Sequence, residues 1–423
     1  MKVLLLTHRM PFPPNKGDKI RSFHILNYLA KRHEVYLACL VDDDSDPRFV
    51  TEIKTRVRRF VFERIHPRTK KPIALFGLLR SCPITVSYFY SPTLQRQIDD
   101  LIDAVEIDAF VCFSSPMAQY LFRSRHASGR VRRAIRVMDL IDVDSRKWRQ
   151  FAEHSPIWTS WIYRYEAKHL AEYERRIARE FDRVLVVSEQ EKGVFPGSSD
   201  TPNLQAMSNG VDLEFFRPVP FGVGGTIRPT LVFTGTMNYR PNIEGIKWFV
   251  ESVLQRVRAA VPDVELLIVG SKPTPEVERL GRMPGVVVTG FVEDIREYLK
   301  RASVCIAPLK IARGLQNKVL EAMAMGKAVV CTPQAYEGIR ATPGSHLMVA
   351  DGADAFAATT IDLLLDPAKA EQLGLEARRC IEKGYGWEQN LRVFDSILYE
   401  GKLAVKPTEV EVELSEYIGT PHC

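Results

Sequence analysis

The stretch Pro308–Pro333, PLKIARGLQNKVLEAMAMGKAVVCTP, reads as a strand end, a glycine-bearing loop, a short helix and a second buried strand. Asn317 to Met325 is rich in strong helix formers, and Gly326 is the residue type that a helix C-terminus prefers. Ala328 to Thr332 is apolar and β-branched in the manner of a buried strand. The loop at Gly314 therefore delivers a helix N-terminus, with its unpaired N–H groups, to the carboxyl edge of a sheet. Such an end attracts phosphate oxygens through those amides and the helix dipole. Lys318 and Glu321 share one helical face. A cation beside a diphosphate, with a carboxylate one turn deeper for sugar hydroxyls, suits a nucleotide sugar. A solvated surface pair is the plain alternative.

At 423 residues the chain exceeds one ordinary core, which predicts two domains. Hydrophobic residues at 45% and charged residues at 26% are the balance of a soluble globular protein. No apolar run approaches the roughly 20 residues that span a bilayer. The opening MKVLLLTHRM reads as a first buried strand rather than a signal peptide. The seven cysteines contain no Cys-x2-Cys pair, which argues against zinc or a disulfide framework and for reduced thiols in a cytoplasmic protein. The net charge of +6 is concentrated: Lys54–Lys71 holds eight basic residues against Glu63 alone, and Arg123–Arg136 holds six arginines and no acid. No nucleic-acid module accompanies that charge. The expected partner is an anionic membrane face or a lipid diphosphate, with no nucleic acid; scattered solvated arginines are the alternative.

Alternating apolar strands and helices form two series, separated near residues 213–229 by a Pro- and Gly-rich linker. Strands are expected at Val3–Thr7, Val35–Val41, Ala109–Phe113, Ala134–Met138 and Val184–Ser188 in the first series. The second offers Thr230–Thr234, Val264–Val269, Val286–Thr289, Val304–Ala307, Ala328–Thr332 and His346–Val349. Short apolar strands alternating with helices imply parallel, doubly wound sheets, with a cleft at the strand carboxyl ends. The charged helix at about Trp161–Glu180 suits a largely exposed surface. Domains are expected at 1–215 and 227–386, with a loose acidic tail at 403–423.

Several motifs carry a family resemblance. The segment around Glu321 resembles the donor-binding signature of the GT-B glycosyltransferases of family 4, Glu-x7-Glu followed by Ala-Met-Ala-x-Gly. Glu321 matches the second Glu, and Ala322, Met323, Ala324 and Gly326 match the Ala-Met-Ala-x-Gly run; Arg313 replaces the first Glu. Asn209-Gly210-Val211-Asp212 resembles the family's turn at the end of the first domain. The loop THRMPFPPNKGDKIRSF, with Lys16, Gly17 and Asp18 ahead of a helix, resembles the first loop that faces donor phosphate and acceptor. Phe233–Asn238 stands where the family has Gly-Arg-x4-Lys, but Thr236 and Asn242 occupy the cationic positions. Arg240, Lys247 or Lys318 remain to supply that charge, and Lys318 is preferred because it rides on the phosphate-facing helix. Gly290-Phe291-Val292 resembles the loop that holds the nucleobase.

The run MDLIDVDSRKW lies where the family carries a His toward the transferred sugar; Met138 or Asp139 stands there, which passes the role to Asp139 or Asp142. Capping of the next helix is the alternative. Asp142-Val143-Asp144 imitates the Asp-x-Asp metal motif of the other major glycosyltransferase fold, a single-domain architecture unlike this one. KGDKIRSF, the DxxDxDS loop and GLQNKVLEAMA are closest to the exopolysaccharide sugar transferases associated with the PEP-CTERM/exosortase system.

The resemblance implies an α/β GT-B fold: two Rossmann-like domains facing a central cleft, with the terminal helix, 387–402, crossing back onto the first. It implies a retaining, hexosyl-type transfer from a nucleoside diphosphate sugar to a glycan or lipid-linked acceptor, without metal or other cofactor. Location is expected to be cytoplasmic, peripheral on the inner membrane face. Asp139, Asp142, Lys318 and Arg313 are the implied catalytic residues. Gly17, Asn209, Gly235, Thr236 and Asn238 are implied in donor binding, with Gly290, Phe291, Val292, Gly314, Leu315, Gln316, Asn317 and Glu321. A non-catalytic nucleotide-sugar sensor or assembly protein is the alternative, given Arg313 and Thr236. A Rossmann oxidoreductase is disfavoured, because no Gly-x-Gly-x2-Gly follows either first strand.

Overall fold

The computed structural model describes residues 1–14, 17–41, 47–65, 82–153, 155–218, 228–312 and 315–404. Lys16, Arg313 and Gly314 lie outside this set, as do most of the linker and the chain after residue 404. Among the described residues, the first sheet comprises β1 (Lys2–Thr7), β2 (Glu34–Val41), β3 (Arg59–Arg64), β4 (Ala109–Phe113), β5 (Ile135–Ile141), β6 (Arg183–Val186) and β7 (Leu204–Ala206). The second comprises β8 (Thr230–Thr234), β9 (Glu265–Val269), β10 (Val286–Gly290), β11 (Val304–Ala307), β12 (Ala328–Cys331) and β13 (Met348–Val349). Every pairing is parallel. Central strands such as LLL in β1, AFVCF in β4 and TLVFT in β8 are buried on both faces, which is why they are continuously apolar rather than alternating.

The strand order is β3-β2-β1-β4-β5-β6-β7 in the first sheet and β10-β9-β8-β11-β12-β13 in the second. Each order reverses once, between β1 and β4 and between β8 and β11, and such a reversal opens a crevice at the strand carboxyl ends. The terminal segment crosses back: Trp387, Leu391, Phe394, Ile397 and Leu398 share a core with Val3, Leu5, Leu37 and Val111 of the first sheet. Among the described residues no helix is long and apolar enough to cross a membrane.

Two strands and one helix differ from the sequence expectations. β3 was hidden in a basic run, RFVFER, whose Phe60 and Phe62 stack at 5.1 Å while Arg59 and Glu63 accompany them on an edge strand. Charge on an edge strand discourages pairing with a second chain, so part of that basic cluster has a structural use. β7 is only three residues long, below the length at which periodicity is legible. The helix Ile157–Glu180 is not merely a solvated surface, because Glu166, Ala167, Leu170, Ala171, Glu174 and Ile177 form a buried face. Glu166 accepts bonds from the backbone N–H groups of Ile84 and Thr85 at 2.5 and 2.8 Å, and Glu174 accepts from Ser145 N–H at 3.0 Å. Each carboxylate thereby satisfies the open first turn of another helix.

The arginines of 123–136 are largely engaged. Arg123 covers the Tyr90 ring at 4.4 Å, Arg125 pairs with Asp100 at 2.9 Å, Arg130 donates to the Asp103 carbonyl at 3.0 Å, and Arg136 meets Asp182 at 3.5 Å. Four of the six arginines thus have a structural partner, while Arg132 and Arg133 stand exposed.

Candidate active site

The second sheet builds its crevice from the loop after β8 and the helix after β11. A Cβ on Gly270 would fall 1.7 Å from the Gly235 carbonyl oxygen, so the Gly235 loop lies directly on the end of β9. Only glycine permits that approach. Asn242 is 5% exposed and donates from Nδ2 to the Thr236 carbonyl at 2.9 Å, which fixes the loop from below. Its remaining oxygen, Oδ1, accepts a short hydrogen bond from Lys318 Nζ.

Lys318 arrives from the helix Asn317–Ala324, whose apolar face (Val319, Leu320, Ala322, Met323) is buried against β11 and β12. Its ammonium lies 4.6 Å from the centre of the Phe233 ring and would stand 3.1 Å from a Cβ on Gly235. Of the three cations open to this role in the sequence, Arg240 and Lys247 are engaged with Glu244 and Glu276 at 2.6 and 2.9 Å. Lys318 alone of the three reaches the loop where the family pattern has its cationic pair. Burial pushes the Lys318 ammonium down to about 7, with Glu321 opposing, and burial pushes the Glu321 carboxyl up to about 7, with Lys318 opposing. Leu315 is buried, Gln316 caps the helix in extended conformation, Thr236 is half-buried and Asn238 is exposed. Gly290, with φ at 70°, ends β10 at the sheet edge; Phe291 is 74% exposed and Val292 packs on the core.

In the first domain, Asp18 of the loop that sequence reading singled out meets two residues that it did not, His8 and Arg9. His8 follows β1, stacks on Phe113 at 5.9 Å and sets Nε2 3.3 Å from Asp18. Arg9 reaches the same carboxylate at 2.7 Å. Burial raises the Asp18 carboxyl, but His8 and Arg9 outweigh it and hold the group well below the ordinary carboxylate range. The signal was a His-Arg pair at a strand end with an Asp opening the next helix. Lys147 adds a cation between Asp144, Asp142 and Tyr239 of the second domain.

Asp139 is not in the cleft. It is 0% exposed, and both carboxylate oxygens pair with the equally buried Arg21, at 2.7 and 3.0 Å. One of them also accepts from Ile141 N–H at 3.1 Å. The register of β5 on β6 shifts at this point, and Ile141 takes φ of 70°, a costly conformation for a β-branched residue. Asp139 therefore anchors a strained turn that presents the half-buried Asp142 at the carboxyl end of β5. Burial raises the Asp142 carboxyl, and Lys147 opposes. Ser114 after β4 and Lys272 after β9 also have positive φ, 75° and 58°, so strained side-chain-bearing residues gather at the strand ends.

Asn209 belongs to a junction rather than to an open surface. Its backbone oxygen accepts from Asn390 Nδ2 at 2.9 Å, and its side chain lies between Arg21 and Asn317. A Cβ on Gly210 would fall 2.6 Å from the Trp387 nitrogen, and Val211 N–H donates to the Tyr385 carbonyl at 2.7 Å. The Asn-Gly-Val-Asp turn is thus where the outgoing linker meets the returning terminal segment. Gly17 lies against Asn317, 3.7 Å separating its ideal Cβ from Asn317 Nδ2.

Comparison with known proteins agrees with the two-sheet fold. Residues 228–366 match the family described as glycosyl transferases group 1. A GDP-mannose-dependent alpha-(1-6)-phosphatidylinositol monomannoside mannosyltransferase of Mycolicibacterium smegmatis is 29% identical over 238 residues, 50% of this chain and 61% of the relative. An uncharacterized 44.6 kDa protein in the cps region of Klebsiella pneumoniae is 22% identical over 263 residues, 59% of this chain and 64% of the relative. The chain thus spans about three fifths of the length of these curated relatives. Among solved structures, sucrose-phosphate synthase from Thermosynechococcus elongatus superposes with a TM-score of 0.70 at 18% identity, covering 96% of this chain and 100% of the other. Anabaena HepE in complex with UDP-glucose gives 0.67 at 15% identity, covering 95% and 100%. The chain therefore has the GT-B fold, and its second domain, over residues 228–366, is a glycosyl transferases group 1 domain.

Proposed function

We propose that this protein transfers a sugar from a nucleoside diphosphate sugar to a glycan or lipid-linked acceptor, with retention of configuration, in exopolysaccharide biosynthesis. The observation that carries the reading is the Lys318 ammonium, delivered by a helix N-terminus to Asn242 and the Gly235 loop at the switch point of the second sheet. As the sugar becomes oxocarbenium-like, negative charge grows on the departing diphosphate. The open amides of the Asn317–Ala324 helix and the Lys318 charge are preorganised to stabilise it. Glu321, one turn deeper, accepts hydrogen bonds from ribose hydroxyls, and Asp142 faces the transferred sugar. The proposed route calls on no metal or other cofactor. The solved HepE complex with UDP-glucose and the GDP-mannose dependence named for the mycobacterial relative support a nucleotide-sugar donor. The test is binding of UDP, GDP and ADP with Lys318 and Glu321 variants.

A specific observation also supports an anionic membrane as the surface on which the acceptor is met. Ile157, Trp158 and Trp161, at the start of the helix Ile157–Glu180, are 88%, 73% and 55% exposed. Arg164, Lys168 and Arg175 are exposed further along the same stripe. Tryptophan at an interface with cations behind it is the pattern of a peripheral membrane contact.

A further inference from the structure

The side chain of Asn209 connects the two domains, and the direction in which it points is determined by its neighbours. Arg21 is 0% exposed and is clamped by Asp139 and by the Met207 carbonyl, the latter at 2.8 Å. Its Nη1 also lies 2.8 Å from Asn209 Oδ1. A guanidinium has donors and no acceptor, so Asn209 must turn its oxygen toward Arg21. That leaves the Nδ2 group to face the other way, where it donates to Asn317 Oδ1 at 3.2 Å. Asn317 is the first residue of the Asn317–Ala324 helix, and Gly17 of the first domain abuts it on another side.

We propose that Arg21 and Asn209 are positioning residues. Arg21, locked by Asp139, orients the Asn209 amide; Asn209 then holds Asn317 and registers the first turn of the phosphate-facing helix against the opposite domain. This fixes the cleft width at which the donor diphosphate is gripped. The catalytic consequence rests on the glycosyltransferase reading, whereas the mechanical part does not.

The test uses the full chain, with a spin label on each domain and Asn209→Ala, Asn317→Ala and the double variant. Asn209→Ala leaves the buried Arg21–Asp139 pair intact, so the fold is retained. One lost hydrogen bond of about 1 kcal/mol predicts roughly fivefold weaker binding of a nucleoside diphosphate in each single variant. The double variant is expected to be no weaker than the worse single one, and all three broaden the interdomain distance distribution to the same extent. Asn317→Asp, which keeps an acceptor for Asn209 Nδ2, restores the narrow distribution. Additive losses in the double variant, or an unchanged distribution in Asn209→Ala, would overturn the proposal. If wild type binds no nucleoside diphosphate, the functional reading fails while the distance measurement still decides the relay.

Discussion

At the scale of single residues, the site replaces one cation by another from a different element. Asn242 and Thr236 stand where the family pattern places a cationic pair, and Lys318 brings its charge to that position from the facing helix. The Lys318–Glu321 pair is poised near neutrality by burial, Lys318 lowered to about 7 and Glu321 raised to about 7. Gripping a diphosphate requires the ammonium, and accepting ribose hydroxyls requires the carboxylate. Above pH 7 the free site holds a largely neutral Lys318, so nucleotide binding takes up a proton. Below pH 7 it holds a largely protonated Glu321, so binding releases one. Titration calorimetry at pH 8 and pH 6 in buffers of different ionisation enthalpy is expected to show that change of sign. Lys318→Ala should abolish the uptake and leave the release. Asp139 shows the limit of motif reading at this scale: its position beside the loop was legible, but whether it served the cleft or Arg21 depended on a partner 118 residues away.

At the scale of elements, the helix Ile157–Glu180 holds up the first domain's side of the cleft through its buried carboxyls. Glu174 accepts from Ser145 at the start of the helix Asp144–Glu153, and burial pushes its carboxyl up to about 8, with the Ser145 bonds opposing. Between its ordinary value near 4.5 and about 8, the folded chain keeps a proton that the unfolded chain gives up, so this group's contribution to stability falls as pH rises. Urea unfolding from pH 5 to pH 8 is expected to show a decline that is shallower in Glu174→Gln, which cannot titrate. An unaltered slope would remove Glu174 as its source. Sequence periodicity located β4, β8 and β11 to the residue because they are buried apolar runs between polar breaks. It could not see β3, whose edge position tolerates arginine and glutamate, or the buried face of this helix. Its glutamates look solvated until the helix ends that they cap are known.

At the scale of the molecule, two parallel sheets meet through the Asn-Gly-Val-Asp turn and the returning terminal helix. The resemblance anticipated that arrangement, because the motifs it rests on lie at strand ends and at the crossing point. The loop that carries Asp18 was legible, but its partners His8 and Arg9 and the nearby Lys147 were not, since these contacts form only when separate segments are brought together. The exposed Ile157-Trp158 tip, with Trp161 behind it, belongs to the first domain, whereas the Gly235 loop and Lys318 belong to the second. Trp158→Ser with Trp161→Ser is expected to lower co-sedimentation with vesicles containing anionic lipid several-fold, while nucleotide affinity stays at the wild-type value. Equal sedimentation of both proteins would count against membrane contact at this tip.

The central claim, that the crevice between β8 and β11 binds the diphosphate of a sugar donor, is tested most directly by calorimetric titration of UDP, GDP and ADP into wild type, Lys318→Ala and Glu321→Ala. At least one nucleotide should bind wild type. Removal of either charged group should weaken that binding roughly tenfold or more, as expected for hydrogen bonds to charged partners. Wild type that binds none of the three, or variants that bind as tightly as wild type, would contradict the account.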